Sequence, residues 1–171
     1  IGVIELVNSL AAIKKHCYED EKLTMDKLLE ALAADFKGFE DIKQMLHDAP
    51  KYGNDEPYVD DIVKDWYHLF GEIHDRLPDH HGKPSIPEAF SVSSHFSLGA
   101  RTGALPNGRN ARVSMTDATV SAQPGTDLNG PTALVKSAAR AIDTVKYASN
   151  HLNMKFHPSA LEGKEGARKL L

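Results

Sequence analysis

Nine histidines, one cysteine and a scatter of serines and aspartates are the residues here whose types could carry chemistry. His80 and His81 are adjacent in a polar stretch, and His151 and His157 stand too far apart for a helical ligand pair. No Cys or His pair has the spacing of a zinc set, so solvated or hydrogen-bonded histidine is the plain reading. Ser, His and Asp are all present, but no Gly-x-Ser-x-Gly elbow presents a nucleophile. Asp127-Leu128-Asn129-Gly130 resembles the start of a calcium loop, without its length or closing glutamate. No phosphate-cradling loop or dinucleotide fingerprint occurs. Cys17 falls on an apolar stripe, which predicts a packed thiol, because a reactive thiolate needs an accessible, electropositive setting.

The most informative stretch runs from Gly99 to Thr132, GARTGALPNGRNARVSMTDATVSAQPGTDLNGPT. Five glycines (99, 103, 108, 125, 130) and three prolines (106, 124, 131) exclude a long regular element there. Its Asn107, Arg109, Arg112, Asp117, Asp127 and Asn129 are groups that bond to backbone and fix irregular chain. A loop of this length in a compact domain is usually functional or disordered. Its mixture of polar and apolar side chains predicts order, with Arg109, Asp117 and Asp127 as structural anchors.

The elements that must position these residues follow from periodicity. Residues 3–19 read as a helix with a stripe of Leu6, Leu10, Ile13 and Cys17. A second helix starts near the N-cap Thr24, turns Leu28, Leu29, Leu32 and Phe36 inward, and ends at Gly38. A short third carries Phe39, Ile42 and Leu46. Pro50 and Gly53-Asn54-Asp55 mark a turn, and Pro57 opens a helix with Val59, Ile62, Val63, Trp66, Phe70 and Ile73 at helical spacing. Phe90–Leu98 alternates, which predicts a strand with Ser91, Ser93, His95 and Ser97 on its polar face. Pro131 opens a helix, 151–157 reads as a short strand, and Ser159 starts another helix. Helices first, then strand, loop, helix, strand, helix is the order of part of an α/β fold.

A length of 171 residues is one domain or part of a larger one. The net charge of −4 and absence of a basic stripe argue against nucleic acid. No apolar run approaches the roughly 20 residues of a membrane span. A single cysteine excludes an internal disulfide and suits a reducing cytoplasm. The chain begins at Ile1 and stops at Leu171 within a helical pattern, so both ends read as cut.

Four motifs in order carry a family resemblance: VNSLAAIKK (7–15), APKYGND (49–55), GALPNGRNA (103–111) and PGTDLNGPTALVKSAA (124–139). Together with NMKFHP (153–158), they resemble the glycyl radical enzymes, relatives of pyruvate formate-lyase. SAQPGTD is closer to the decarboxylase and sulfite-lyase branches. The resemblance implies a fold class of α/β: a helix-rich segment of a ten-stranded α/β barrel, incomplete on its own. It places 1–98 at the end of the barrel domain and 99–171 at the start of the glycine-radical domain. It implies a lyase that breaks a C–C, C–O or C–S bond of a small polar substrate. It also implies a homodimeric full enzyme and no cofactor bound to this segment. The glycyl radical would be installed by a separate activating enzyme, using S-adenosylmethionine and an iron–sulfur cluster, on a glycine outside this chain.

The family's Gly-Cys motif and its Arg-Val-Ala-Gly radical motif are both absent, and Cys17 cannot replace the first. The expectation is therefore a segment lying between them, inactive alone and dependent on the remainder of its own polypeptide. Ser93, His95 and Arg101 are the expected pocket lining; a cationic Arg101 suits a carboxylate or sulfonate. The competing classes are a standalone interaction module on the same scaffold and, less consistent with the spacings, a metal-dependent hydrolase.

Overall fold

The computed structural model describes residues 2–90 and 93–170. α1 (Val3–Ile13) is the axis of the molecule because it feeds two apolar cores. Val3, Ile4, Val7 and Ala11 join Tyr52, Val59, Val63, Tyr67, Val120 and Leu134 in one. Ala12 joins Leu23, Leu28, Phe36, Ile42 and Leu46 in the other. Leu6 and Leu10, expected on the structural stripe, stand about two-fifths exposed. Two faces of this helix have helical apolar spacing, and periodicity cannot choose between them. After Ile13 the helix widens into a π-turn, Lys14–Glu19, with Asp20 N–H donating to the Lys15 carbonyl at 2.8 Å.

α2 (Met25–Ala33) starts at Thr24, whose hydroxyl accepts from Lys27 N–H at 3.2 Å. It ends before Gly38, and Asp35 and Phe36 take positive φ in the turn that follows. Leu28 and Phe36 are buried as expected, but Leu29 is exposed. α3 (Glu40–Asp48) closes the second core. Lys51 folds back over its end and donates to the carbonyls of Leu46 (2.6 Å) and Ala49 (2.9 Å). The ammonium thus satisfies carbonyls that the helix leaves open.

α4 (Pro57–Arg76) packs between α1 and α6 (Gly130–Ala141). Asp60, buried in α4, accepts from Ser137 Oγ (2.9 Å) and Arg140 Nη1 (3.1 Å) on α6. Burial pushes the Asp60 carboxyl upward, against the pull of those two donors. The phenol of Tyr147 donates to the Tyr67 carbonyl at 2.6 Å, and burial raises its pKa to about 12.

No named strand occurs among the described residues. The expected strand at 90–98 is instead the approach to α5 (His95–Arg101); Ser91 and Val92 lie outside the described residues. Leu98 N–H donates to the Ser94 carbonyl at 2.9 Å, a local helical bond. Alternation marks a strand only where a partner ladder lies alongside, and none does among the described residues. The stretch 151–157 is irregular rather than a strand, and an isolated parallel bridge joins Ala89 to Asn150. A 3-10 turn (Pro158–Leu161) and α7 (Gly163–Leu170) follow. Among the described residues no helix is long and apolar enough to cross a membrane.

Candidate functional site

The three residues expected to line a pocket all fall on or beside α5. Ser93 precedes it and is exposed; His95 opens it, half-buried, with its ring centroid 4.1 Å from that of Phe96; Arg101 lies in the last turn, exposed. His95 and Arg101 are six residues apart on a helix, so they point to different faces instead of forming one polar row. α5 itself is held by its backbone. The His95 carbonyl accepts from Met115 N–H at 3.2 Å, and Gly99 lies against the backbone of Val113 and Ser114.

The loop after α5 is organised from within by Arg109. Its guanidinium donates to the carbonyls of Gly99 (2.9 Å), Gly103 (2.9 Å) and Val113, drawing three points of the chain onto one side chain. Burial lowers its pKa, and the charges of Glu5 and Asp35 oppose that lowering. Asp35 holds the next turn, accepting from Asn110 Nδ2 (3.1 Å) and Ala111 N–H (2.7 Å). Asp117 pairs with Lys155 at 3.0 Å. Asp127 is exposed, and its neighbourhood is tied down by Asn54 instead. Asn54 Nδ2 donates to the Thr126 carbonyl at 2.7 Å, and Asn129 N–H donates to Asn54 Oδ1 at 3.0 Å.

Between these anchors lies a deeply seated irregular segment, Thr116 to Gln123. Thr116, Ala118, Thr119, Val120 and Ser121 are buried although the segment is neither helix nor strand. Buried backbone needs partners; side chains supply several here, and the Val120 N–H donates to the His151 carbonyl at 3.4 Å. Glu5 Oε1 accepts from Thr116 N–H and, at 2.7 Å, from its hydroxyl. The phenols of Tyr67 and Tyr52 donate to the carbonyls of Thr119 (2.8 Å) and Val120 (2.9 Å). Asn8 Nδ2 donates to Gln123 Oε1 at 3.1 Å, while its Oδ1 accepts from Tyr52 N–H at 2.9 Å. Asn107 Nδ2 reaches the same Gln123 oxygen at 2.9 Å. On the far side, Ser121 Oγ accepts from Asn153 N–H at 2.7 Å.

Glu5, Asn8, Tyr52, Tyr67 and Gln123 escape a reading based on chemical motifs. A signal exists only once the inward face of α1 is known: Glu5 and Asn8 are polar residues on the buried face of VIELVNSLAAI, where an apolar residue is the default. Elsewhere, a cleft of about 720 Å³ between α4 and residues 139–147 is lined by charges of both signs, including Asp61, Lys64, Asp75 and Arg140. Among the described residues no three His, Cys, Asp or Glu side chains come together as a metal cluster. Cys17 packs against the second core, and burial raises its thiol pKa.

Residues 1–99 match the family described as pyruvate formate lyase-like, and residues 116–171 match the one described as glycine radical. The second match begins at Thr116, where the buried segment begins. The chain is 40% identical to an isethionate sulfite-lyase of Nitratidesulfovibrio vulgaris, over 100% of this chain and 21% of that protein. It is 38% identical to an indoleacetate decarboxylase of Tractidigestivibacter scatoligenes, over 99% of this chain and 22% of that protein. Among solved structures it resembles the hydroxyproline dehydratase of Clostridioides difficile with trans-4-hydroxy-L-proline bound (TM-score 0.91, 34% identity, 99% of this chain, 21% of that one). It also resembles the glycerol-bound, B12-independent glycerol dehydratase of Clostridium butyricum (TM-score 0.88, 33% identity, 98% of this chain, 21% of that one). The chain thus spans about a fifth of the length of these relatives.

Proposed function

The chain belongs to the glycyl radical enzymes, as a pyruvate formate lyase-like segment that runs into the glycine-radical region, and on that premise we propose that it is part of a lyase acting on a small polar substrate. The bond broken is C–C, C–O or C–S, the range spanned by decarboxylases, dehydratases and sulfite-lyases. The observation that carries this reading is the order of the two family matches along one chain, with the buried 116–123 segment at the start of the second.

In this reading residues 1–98 end the barrel and 99–171 begin the radical-bearing domain. A glycyl radical, installed on a glycine outside these residues by a separate activating enzyme using S-adenosylmethionine and an iron–sulfur cluster, supplies hydrogen-atom abstraction when present. The residues described here do not fit a radical-bearing role. Cys17 is packed in a helical turn with its thiol pKa raised, and no Arg-Val-Ala-Gly motif occurs in the sequence. This segment's part is support: it holds 116–123 by side chains and offers α5 to the rest of the polypeptide. We assign Ser93, His95 and Arg101 to the pocket wall where α5 meets the rest of that polypeptide, His95 and Arg101 contributing from different faces of the helix rather than as one row, with Arg101 suited to an anionic group. The working enzyme would be cytoplasmic and homodimeric, and the isolated segment would not turn substrate over.

The test is to read the coding frame through both ends and express the whole polypeptide anaerobically with an activating enzyme. A glycyl signal by electron paramagnetic resonance, with lyase activity on a hydroxysulfonate, arylacetate or diol, is expected. A frame that starts and stops at the present ends, and a protein that acquires no radical, would leave the scaffold alone and point to a non-catalytic interaction module. In the active enzyme, His95→Ala with unchanged affinity and turnover would remove His95 from the lining.

A further inference from the structure

We propose that Glu5 and Asn8 are positioning residues: two side chains one helical turn apart on α1 that set where the glycine-radical region sits against the barrel segment. The inference rests on the lyase reading above and deepens it.

Glu5 and Asn8 are 2% and 0% exposed, on the face of α1 that otherwise presents Val3, Ile4, Val7 and Ala11 to the core. A carboxylate and an amide in that place are costly unless hydrogen-bonded; Glu5 Oε1 accepts two bonds, while its Oε2 has no hydrogen-bond partner among the described residues. Their engagement is specific. Glu5 takes both donors of Thr116; Asn8 takes Tyr52 N–H and gives its own N–H to Gln123. The two grips fall at the two ends of one buried segment, and Tyr67 and Tyr52 hold the carbonyls of Thr119 and Val120 between them. Arg109 fixes the Val113 carbonyl just upstream, so the chain enters the Glu5 grip from a set position.

A ladder of repeating backbone bonds can slip by a register and recover its partners. A segment held by four different side chains has no second register. A shift by one residue would take Thr116 off Glu5 and Gln123 off Asn8 together, leaving buried polar groups unpaired. The segment's position is therefore discrete. Abstraction of a hydrogen atom depends steeply on the separation of the reacting groups; a misplacement of about 1 Å from a distant change can cost on the order of 100-fold in rate. A grip at the start of the radical-bearing region bears on that separation without touching substrate.

The experiment uses the full-length enzyme, activated anaerobically, and measures radical spins per chain, turnover per spin and thermal midpoint for each variant. Glu5→Leu and Asn8→Leu are expected to lower turnover per spin at least tenfold. Thr116→Val is expected to lower it several-fold, and Thr116→Ser and Glu5→Gln, which keep the hydrogen-bonding groups, to restore most of it. A purely structural role would lower spins and midpoint while leaving turnover per spin unchanged, and that pattern overturns the proposal. So does unchanged turnover per spin in Thr116→Val, the variant chosen in case the leucine substitutions do not fold. A wild-type enzyme that acquires no radical overturns the lyase reading and this inference with it. A radical-bearing wild type with indifferent variants overturns the inference alone.

Discussion

The Tyr52 phenol donates to the Val120 carbonyl at 2.9 Å, across 68 positions of sequence. One end of that bond is in the APKYGND turn and the other is in the buried segment that opens the glycine-radical match. The same residue's amide N–H is taken by Asn8, so Tyr52 links α1, the turn and the buried segment at one point. Burial of the phenol pushes its pKa up, which keeps it a donor throughout the physiological range.

Tyr52→Phe keeps the ring packing and removes only the hydroxyl, leaving the Val120 carbonyl buried without that donor. We expect a loss of about 1–2 kcal/mol, seen as a lower thermal midpoint of the full-length polypeptide. An unchanged midpoint would show that another donor replaces the phenol.

Gly99 and Gly103 make a matched pair. A Cβ on Gly99 would press into the Val113 carbonyl oxygen and lie 2.7 Å from Ser114 Cα, whereas nothing lies within 4 Å of one on Gly103. Gly99→Ala forces backbone apart and should cost about 1–3 kcal/mol, the range of overpacking. Gly103→Ala should be close to neutral. Comparable soluble yield and midpoint for the two variants would contradict the close approach.

Arg109→Lys retains the charge but replaces a planar fork by a single ammonium, which cannot reach the Gly99, Gly103 and Val113 carbonyls together. At least one buried carbonyl loses its donor, costing about 1–3 kcal/mol. Limited proteolysis should then cut within 99–113 before other sites; wild-type resistance there would refute the anchor role.

Lys51 gives a pH signature. Burial lowers its pKa to about 8 in the fold, from 10.5 in an exposed chain. Between those values the unfolded chain binds the proton and the folded one does not, so this group's contribution to stability rises with pH. Comparing wild type with Lys51→Met at pH 8 and 9.5 should show the difference moving in favour of wild type as pH rises. Unfolded tyrosines begin to ionise near the top of that window, but they do so in both proteins, so the difference isolates Lys51. A difference that is flat or moves the other way would mean the ammonium stays charged in the fold.

The exposed apolar side chains give a fifth expectation. Leu6 and Leu10 on α1, Leu69 and Ile73 on α4, and Phe96 and Leu98 on α5 are all solvent-facing in the 171-residue chain. Apolar groups arrayed on several faces favour association. Sedimentation of the isolated chain should show self-association; a monomer that unfolds cooperatively would count against it.

What the sequence determined by itself were local matters and the family. Thr24 caps α2 because a hydroxyl at that position reaches a free amide, and Pro57 opens α4 because proline has no amide to lose. The spaced motifs from VNSLAAIKK to PGTDLNGPTALVKSAA identified the glycyl radical enzymes without any coordinates. Tertiary structure alone decided which of two apolar faces of α1 turns inward, because both have helical spacing and only the partners differ. It also decided that His95–Arg101 is helical, since alternation makes a strand only beside another strand. The grip of Glu5 and Asn8 on residues 116–123 was hidden for the same reason. Each hydrogen bond joins positions more than a hundred residues apart, and no local pattern encodes a partner at that distance.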